Sequence, residues 1–130
     1  MQRPENLLKW SLFGGSIYFL LVAAAHLSGI KIPGLYIYFD IPSYAYQDRI
    51  IALLSFGWCM FLYLGFRLTG AGYTRPVRYI IFAGIAAILC LLLINNSGEI
   101  LEMAKKESRW IYMFETMILL VYTIWLVILY

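Results

Sequence analysis

Charge is the scarcest property of this sequence. The 130 residues include 10 lysines and arginines and 7 aspartates and glutamates, so charged residues make up 13% of the chain and hydrophobic residues 63%. An average soluble domain is about one-quarter charged. This composition excludes an ordinary soluble enzyme domain and a disordered tail, because neither could be kept in water by so few charges. It also gives no support to nucleic-acid binding, which needs a basic surface.

Cysteine and histidine are also scarce. The two cysteines are too few for a disulfide-rich secreted scaffold or a zinc-finger module. The single histidine excludes a haem held by two histidines of one chain. The sequence also has no Gly-x-Ser-x-Gly elbow, no phosphate-binding loop and no pair of metal ligands at a recognised spacing. We therefore predict a protein that is not an enzyme and that carries no metal and no cofactor.

The few charges are unevenly spaced along the chain. Apart from Glu115, four segments have no formal charge, and they are residues 10–30, 50–66, 79–98 and 110–130. A helix needs about 17–25 apolar residues to cross the hydrocarbon core of a membrane. A soluble bundle would instead need a charged stripe on each helix, and the segments have none. The pattern predicts an all-α integral membrane protein, in which a single domain over residues 1–130 forms a compact bundle of four transmembrane helices.

The basic residues indicate an orientation across the membrane. Four spans place both termini on one side, and lysine and arginine are evenly divided between the two sides. On the side away from the termini, however, acidic residues neutralise most of the positive charge. Because basic residues are retained on the cytoplasmic side, we predict that both termini are cytoplasmic. In the connection between the second and third spans, three arginines are predicted to contact lipid headgroups: Arg67, Arg75 and Arg78.

The connection between the first two spans, residues 31–49, is rich in aromatic residues. Residues 35–39 alternate like a short strand and are flanked by turns that contain proline. Tyrosine favours the membrane–water boundary, so one interpretation is a loop that lies flat on the headgroups. The other is a surface that docks a partner protein. The aromatic residues of that predicted surface are Tyr36, Tyr38, Phe39, Tyr44 and Tyr46.

The connection between the last two spans is predicted to contain a short amphipathic helix. Asn96 stands three residues before Glu99, an arrangement close to a capping box. Glu102 and Lys106 have the i,i+4 spacing of an ion pair. We expect this helix to begin after Asn96 and to lie on the membrane surface.

Ionisable residues inside spans are rare and are candidates for function. His26 lies near the end of the first span and Glu115 near the start of the fourth, on the same side of the membrane, so we expect them at similar depth, where they could pair. With residues from the other two helices they form a predicted intramembrane polar cluster of His26, Asp48, Asn95, Asn96 and Glu115. Three interpretations are open: a cluster that holds the helices together, a proton or cation site centred on Glu115, and a metal site that uses His26 with nearby carboxylates.

These features favour a structural or accessory subunit of a larger membrane complex. A stripe of small residues on the first helix, which includes Gly15, and the aromatic 31–49 connection would contact other membrane subunits or a second copy of the chain. The alternative is a small proton-coupled transporter, formed by oligomers around Glu115 and His26. The two hypotheses differ in whether the polar cluster has a structural role or exchanges protons.

Overall fold

The computed structural model describes residues 4–130, and within that range it is 79% helical and contains no strands. Four of the helices are long and apolar enough to cross a membrane, which confirms that part of the prediction. The fifth is a single short helix between two of them. The helices are α1 (Pro4–Ser28), α2 (Ala45–Gly70), α3 (Val77–Asn95), α4 (Gly98–Met103) and α5 (Lys106–Leu129).

The four long helices form two closely packed pairs. α1 packs along α2, and α3 packs along α5. The pairs are joined through α1 and α5 and, somewhat more weakly, through α2 and α3, which meet at the terminal end where Ile80 packs against Gly65. We call the end of the bundle with Ser28 and Ala45 the loop end, and the end with Gly70 and Val77 the terminal end. The weak contact between α2 and α3 leaves a seam between the two pairs.

The core is tightest at the terminal end. There the beginnings of α1 and α3 meet the ends of α2 and α5, and aliphatic side chains from all four helices fill the space between them. Packing of these aliphatic side chains brings the four long helices together at this end. The residues of this cluster are Leu8, Leu12, Leu62, Val77, Ile80, Ile81 and Leu126.

A close helix contact lies at Gly15 in the middle of α1. A Cβ atom at this position would meet the hydroxyl oxygen of Tyr122 and would lie 2.8 Å from its Cζ and 3.2 Å from Cδ1 of Leu62. The Tyr122 hydroxyl donates a hydrogen bond to the carbonyl of Ser11 at 3.0 Å. Trp125 Nε1 donates to the Ser11 side chain at 2.9 Å. Glycine is therefore needed at this position for α5 to approach α1 and bond to its backbone.

The helix boundaries differ from the charge-free segments. α2 begins at Ala45, five residues before the predicted span, so Asp48 lies inside the helix. Its first turn is supported by the Gln47 side chain, which accepts a hydrogen bond from the backbone N–H of Tyr44 at 3.0 Å. α3 ends at Asn95, three residues before the predicted end of its span. A formal charge does not stop a helix, so the charges mark the boundaries of the apolar segments and not the ends of the helices.

The prediction of a short strand at residues 35–39 is wrong, because this segment consists of turns. Gly34 has φ 85° and Tyr38 has φ 56°, both in the left-handed region. These two positions fold the chain back on itself, which an extended strand does not do. The alternating aromatic residues are therefore distributed around turns.

The short helix between α3 and α5 is present, but its predicted cap is wrong. α4 follows Ser97, whose Oγ accepts a hydrogen bond from the backbone N–H of Ile100 at 3.4 Å. The Asn96 side chain instead donates to the carbonyl of Leu92 at 2.8 Å, one turn back along α3. Asn96 is thus part of the end of α3, and the serine one residue later begins α4.

Candidate functional site

The chain between α1 and α2 folds into the loop end of the bundle. We call residues 31–44 the inserted loop. Gly34 lies at its tip: its carbonyl accepts a hydrogen bond from the Tyr18 hydroxyl at 2.9 Å, and its N–H donates to Oε1 of Glu115 at 2.7 Å. Tyr18 stands ten residues before the end of α1, about 15 Å along the helix axis. The interpretation of a loop lying flat is therefore wrong, because its tip bonds to side chains from well inside the bundle.

His26 holds the middle of the inserted loop. Its ring is 1% exposed and stacks on Tyr36 with the ring centroids 4.0 Å apart. Nε2 accepts a hydrogen bond from the backbone N–H of Ile37 at 3.0 Å. A nitrogen that accepts such a bond carries no proton, so a neutral His26 has its proton on Nδ1. Nδ1 faces Oδ1 of Asp48 at 3.9 Å, which places an imidazole–carboxylate pair beneath the loop.

Asp48 also fixes the last part of the inserted loop. The Ser43 hydroxyl donates to Oδ2 of Asp48 at 3.1 Å and lies 3.3 Å from the Tyr36 hydroxyl. Since the single proton of Ser43 is committed to Asp48, Tyr36 is the donor in the second bond. Burial and the nearby Asp48 carboxylate raise the pKa of the Tyr36 phenol, which keeps it protonated for that role.

A second polar chain connects the inserted loop to α3 and α5. The Tyr38 hydroxyl donates to Oδ1 of Asn95 at 2.8 Å, and Nδ2 of Asn95 donates to the Thr116 hydroxyl at 2.8 Å. Thr116 in turn donates to the carbonyl of Tyr112 at 2.8 Å. Burial raises the pKa of Tyr38 to about 12, so the phenol that begins this chain stays protonated. Phe39 and Tyr38 pack edge-on against the Tyr112 ring.

The predicted polar cluster is therefore divided into three contacts. His26 faces Asp48, Glu115 bonds to Gly34, and Asn95 bonds to Tyr38. His26 and Glu115, which could have paired at similar depth, do not pair, because the earlier start of α2 puts Asp48 opposite the imidazole. Asn96 points outward and does not join these contacts. The remaining four members each form a hydrogen bond with the inserted loop. Together they attach the loop to all four long helices.

The predicted docking residues are divided between the interior and the surface. Tyr36 is buried and Tyr38 and Phe39 are half-buried against the bundle, so these three do not form an exposed surface. Tyr44 and Tyr46 are 70% and 61% exposed, and their rings stack with centroids 5.9 Å apart. Because turns direct the first three rings inward, only Tyr44 and Tyr46 remain as an exposed aromatic surface. We call these two residues the aromatic step.

Sequence reasoning missed four residues that hold the loop. Tyr18, Gly34, Ser43 and Thr116 make hydrogen bonds that fix it, yet none was predicted as part of a site. Only Gly34 had a signal, since a glycine after a proline indicates a tight turn. Among the described residues, no group of three or more histidine, cysteine, aspartate or glutamate side chains is arranged to hold a metal ion.

Below the inserted loop lies a cavity of about 390 Å³. Its walls come from all four long helices and its roof from Gly34 to Tyr38. Aliphatic side chains dominate the lining, and the Glu115 carboxylate lies near the roof. The cavity follows the seam where α2 and α3 make few contacts. It is within the 300–1,000 Å³ that is typical of small-molecule sites.

The three predicted headgroup arginines lie away from this site. Arg67, Arg75 and Arg78 are exposed at the terminal end, on or between α2 and α3. Nη2 of Arg78 donates to the Tyr79 hydroxyl at 2.8 Å, and its guanidinium lies 4.8 Å from the centre of that ring. These three arginines therefore lie at the end of the bundle opposite the inserted loop.

No known protein family, curated protein or solved structure matches this chain. Its function must therefore be argued from the geometry of the inserted loop and the cavity.

Proposed function

We propose that the chain is a multi-pass integral membrane protein in which α1, α2, α3 and α5 span the bilayer and both termini are cytoplasmic. The proposal is supported by the apolar outer surfaces of these helices. In the most apolar stretch of each helix only 22–33% is buried inside the protein, so most of that stretch faces outward. A hydrophobic surface of that extent needs lipid or another protein around it. In this orientation the arginines at the terminal end, Arg67, Arg75 and Arg78, contact anionic headgroups of the cytoplasmic leaflet.

We further propose that the protein acts as an accessory subunit that docks another membrane protein through Tyr44 and Tyr46. The observation that carries this proposal is the fixed position of the aromatic step. The inserted loop that leads to it is bonded to side chains from α1, α2, α3 and α5. A surface that is already ordered loses little conformational entropy when a partner binds. Paired tyrosines also supply a large contact area with few rotatable bonds.

A photo-crosslinking amino acid placed at position 44 or 46 tests the docking proposal. In native membranes we expect a crosslinker at either position to give one discrete adduct. The partner in that adduct is expected to be a membrane protein other than this chain. In the position-44 derivative, the change Tyr46→Ala is expected to lower the yield of that adduct at least about tenfold, as the loss of an interface aromatic does. Mass spectrometry of the adduct identifies the partner.

Tyr73 supplies the control for this experiment, because it is 66% exposed at the opposite end of the bundle. The same crosslinker at position 73 is expected to give no adduct with that partner. Adducts with lipid alone from positions 44 and 46 would contradict the proposal and identify the tyrosines as interfacial anchors. An adduct with a second copy of this chain would contradict the accessory role as well.

The alternative function is a proton-coupled transporter centred on Glu115. It is favoured by one observation, that the half-buried Glu115 lines the cavity inside the bundle. In such a mechanism the protonated carboxyl would release its proton as the carboxylate takes up a cationic solute. The polar cluster would then exchange protons in addition to holding the inserted loop.

Flux in proteoliposomes tests this alternative, with a cationic dye as the probe solute and a pH gradient as the driving force. If the alternative holds, Glu115→Gln abolishes gradient-driven dye movement because an amide does not exchange a proton. Glu102→Gln is the control, since Glu102 is exposed on α4. Equal flux in the wild type and Glu115→Gln, or no flux above that of protein-free vesicles, would contradict the transporter.

A further inference from the structure

The cavity beneath the inserted loop is long. On α3 its lining extends from Ile80 to Asn95, which corresponds to about 20 Å along the helix axis. Its volume of about 390 Å³ is distributed over that length. An apolar cavity of about 150 Å³ is already enough to take up a benzene molecule. The space is therefore larger than a cavity that already holds a small ligand, and its length suits an extended chain.

A single hydrocarbon chain suits this space. Its cross-section is a fraction of that of a helix, which is about 10–12 Å in diameter with its side chains. Two lining residues, Leu54 and Ile94, are also 64% and 44% exposed, so the cavity opens sideways between α2 and α3 near the loop end. A chain can enter through this opening from the surrounding lipid.

The polar groups of the lining determine which end of such a chain is the head. Most of them are already committed: Tyr18 bonds to Gly34, Asn95 to Tyr38 and Thr116, and Tyr122 to Ser11. The hydroxyl of Tyr112, which also lines the cavity, is buried without a hydrogen-bond partner. Glu115 bonds to Gly34 through Oε1 only, and no donor among residues 4–130 bonds to its Oε2. Oε2 is therefore an acceptor near the roof, with an apolar slot extending below it.

We propose that this cavity binds one molecule of a single-chain amphiphile, with a hydrogen-bond-donating head at Glu115 and a tail that follows the seam between α2 and α3. An alkyl or isoprenoid tail fits the apolar walls. A primary amine or a hydroxyl fits the carboxylate, because either donates to Oε2. A head that carries its own carboxylate does not fit, since two like charges would be brought together away from water. The site is separate from the aromatic step, so this proposal does not depend on docking through Tyr44 and Tyr46.

Native mass spectrometry of the full chain in phosphatidylcholine nanodiscs tests the proposal, with octadecylamine, octadecanol and stearate as probes. We expect the amine or the alcohol to give one adduct per chain, and whichever is retained more strongly identifies the head. Stearate, which has the same tail length, is expected to give at least about tenfold less adduct. Glu115→Gln is expected to lower the amine adduct about tenfold or more, because a charged acceptor is replaced by a neutral one.

Two adjacent alanines on α3 test the location of the tail. Ala87 lines the cavity, whereas Ala86 is exposed on the outer face. We expect Ala87→Phe to abolish the adduct and Ala86→Phe to leave it unchanged. If Ala87→Phe prevents folding, Ala87→Leu takes its place. The leucine fills less of the slot and is expected to reduce the adduct. Adducts that are insensitive to both Ala87 variants, equal retention of stearate, or several adducts per chain would overturn the proposal. So would the absence of any adduct in the wild type.

Discussion

Replacing Gly15 with alanine is expected to lower the free energy of unfolding by about 1–3 kcal/mol, the range seen when a packed interior is overfilled. The added methyl group would overlap the Tyr122 hydroxyl and press on Leu62. Tyr122 cannot simply turn away, because its hydroxyl is bonded to the Ser11 carbonyl. α5 must therefore move away from α1, which weakens one of the two contacts that join the helix pairs. Reversible denaturation in detergent micelles, followed by circular dichroism, measures the change.

Gly14 is the matched control for this variant. A Cβ atom at Gly14 has no neighbour within 4 Å, so Gly14→Ala is expected to be neutral or slightly stabilising, as alanine is the better helix former. A second check combines Gly15→Ala with Tyr122→Leu, which removes the ring that the methyl group meets. The double variant should cost less than the sum of the two single changes. Equal stabilities of Gly14→Ala and Gly15→Ala would contradict the close contact between α1 and α5.

The four long helices could be predicted from the spacing of charge, but their ends could not. Apolar length is set by the thickness of a membrane and is visible in a sequence. Helix ends depend on local hydrogen bonds, as the first turn of α2 illustrates. Its residues Gln47, Asp48 and Arg49 are polar, and yet the helix begins before them at Ala45. That difference of five residues moves Asp48 onto a helix and opposite His26, which decides the geometry of the site.

The members of the polar cluster could be predicted, whereas their partners could not. Counting residues from a helix end gives approximate depth, and this criterion picked out His26, Asn95 and Glu115, whose side chains contact the inserted loop. It does not give rotation about the helix axis, so it does not distinguish two neighbouring residues such as Asn95 and Asn96. The first is 6% exposed and bonded to Tyr38, while the second faces outward.

The inserted loop was the least predictable element. Its composition of tyrosine and phenylalanine suits a membrane boundary, a docking surface and a packed interior equally well. The direction of each ring depends on backbone turns at Gly34 and Tyr38, and Tyr38 is not a residue type from which a positive φ is expected. The partners of the loop are also distant in sequence, since Gly34 bonds to a residue 81 positions away.

Replacing His26 with phenylalanine is expected to release the inserted loop. Phenylalanine keeps a flat ring to stack on Tyr36, but it has no acceptor for the backbone N–H of Ile37. An unsatisfied buried donor costs about 1–3 kcal/mol, and the loop can avoid this cost only by opening to water. Amide hydrogen exchange in detergent micelles should therefore be about tenfold to hundredfold faster at Ile37. Exchange in the middle of α1 should not change.

Leu27 provides the control for that variant. It is 70% exposed on the turn next to His26, so Leu27→Phe introduces the same side chain without affecting the loop and should leave exchange at Ile37 unchanged. Asp48→Asn separates the two contacts of Asp48, one with His26 and one with Ser43. It removes the charge that faces Nδ1 but keeps an oxygen acceptor for Ser43, so its effect on Ile37 should be smaller than that of His26→Phe. If His26→Phe leaves exchange at Ile37 as slow as in the wild type, the turns of the loop hold it without the imidazole. The histidine would then have no role in fixing the aromatic step.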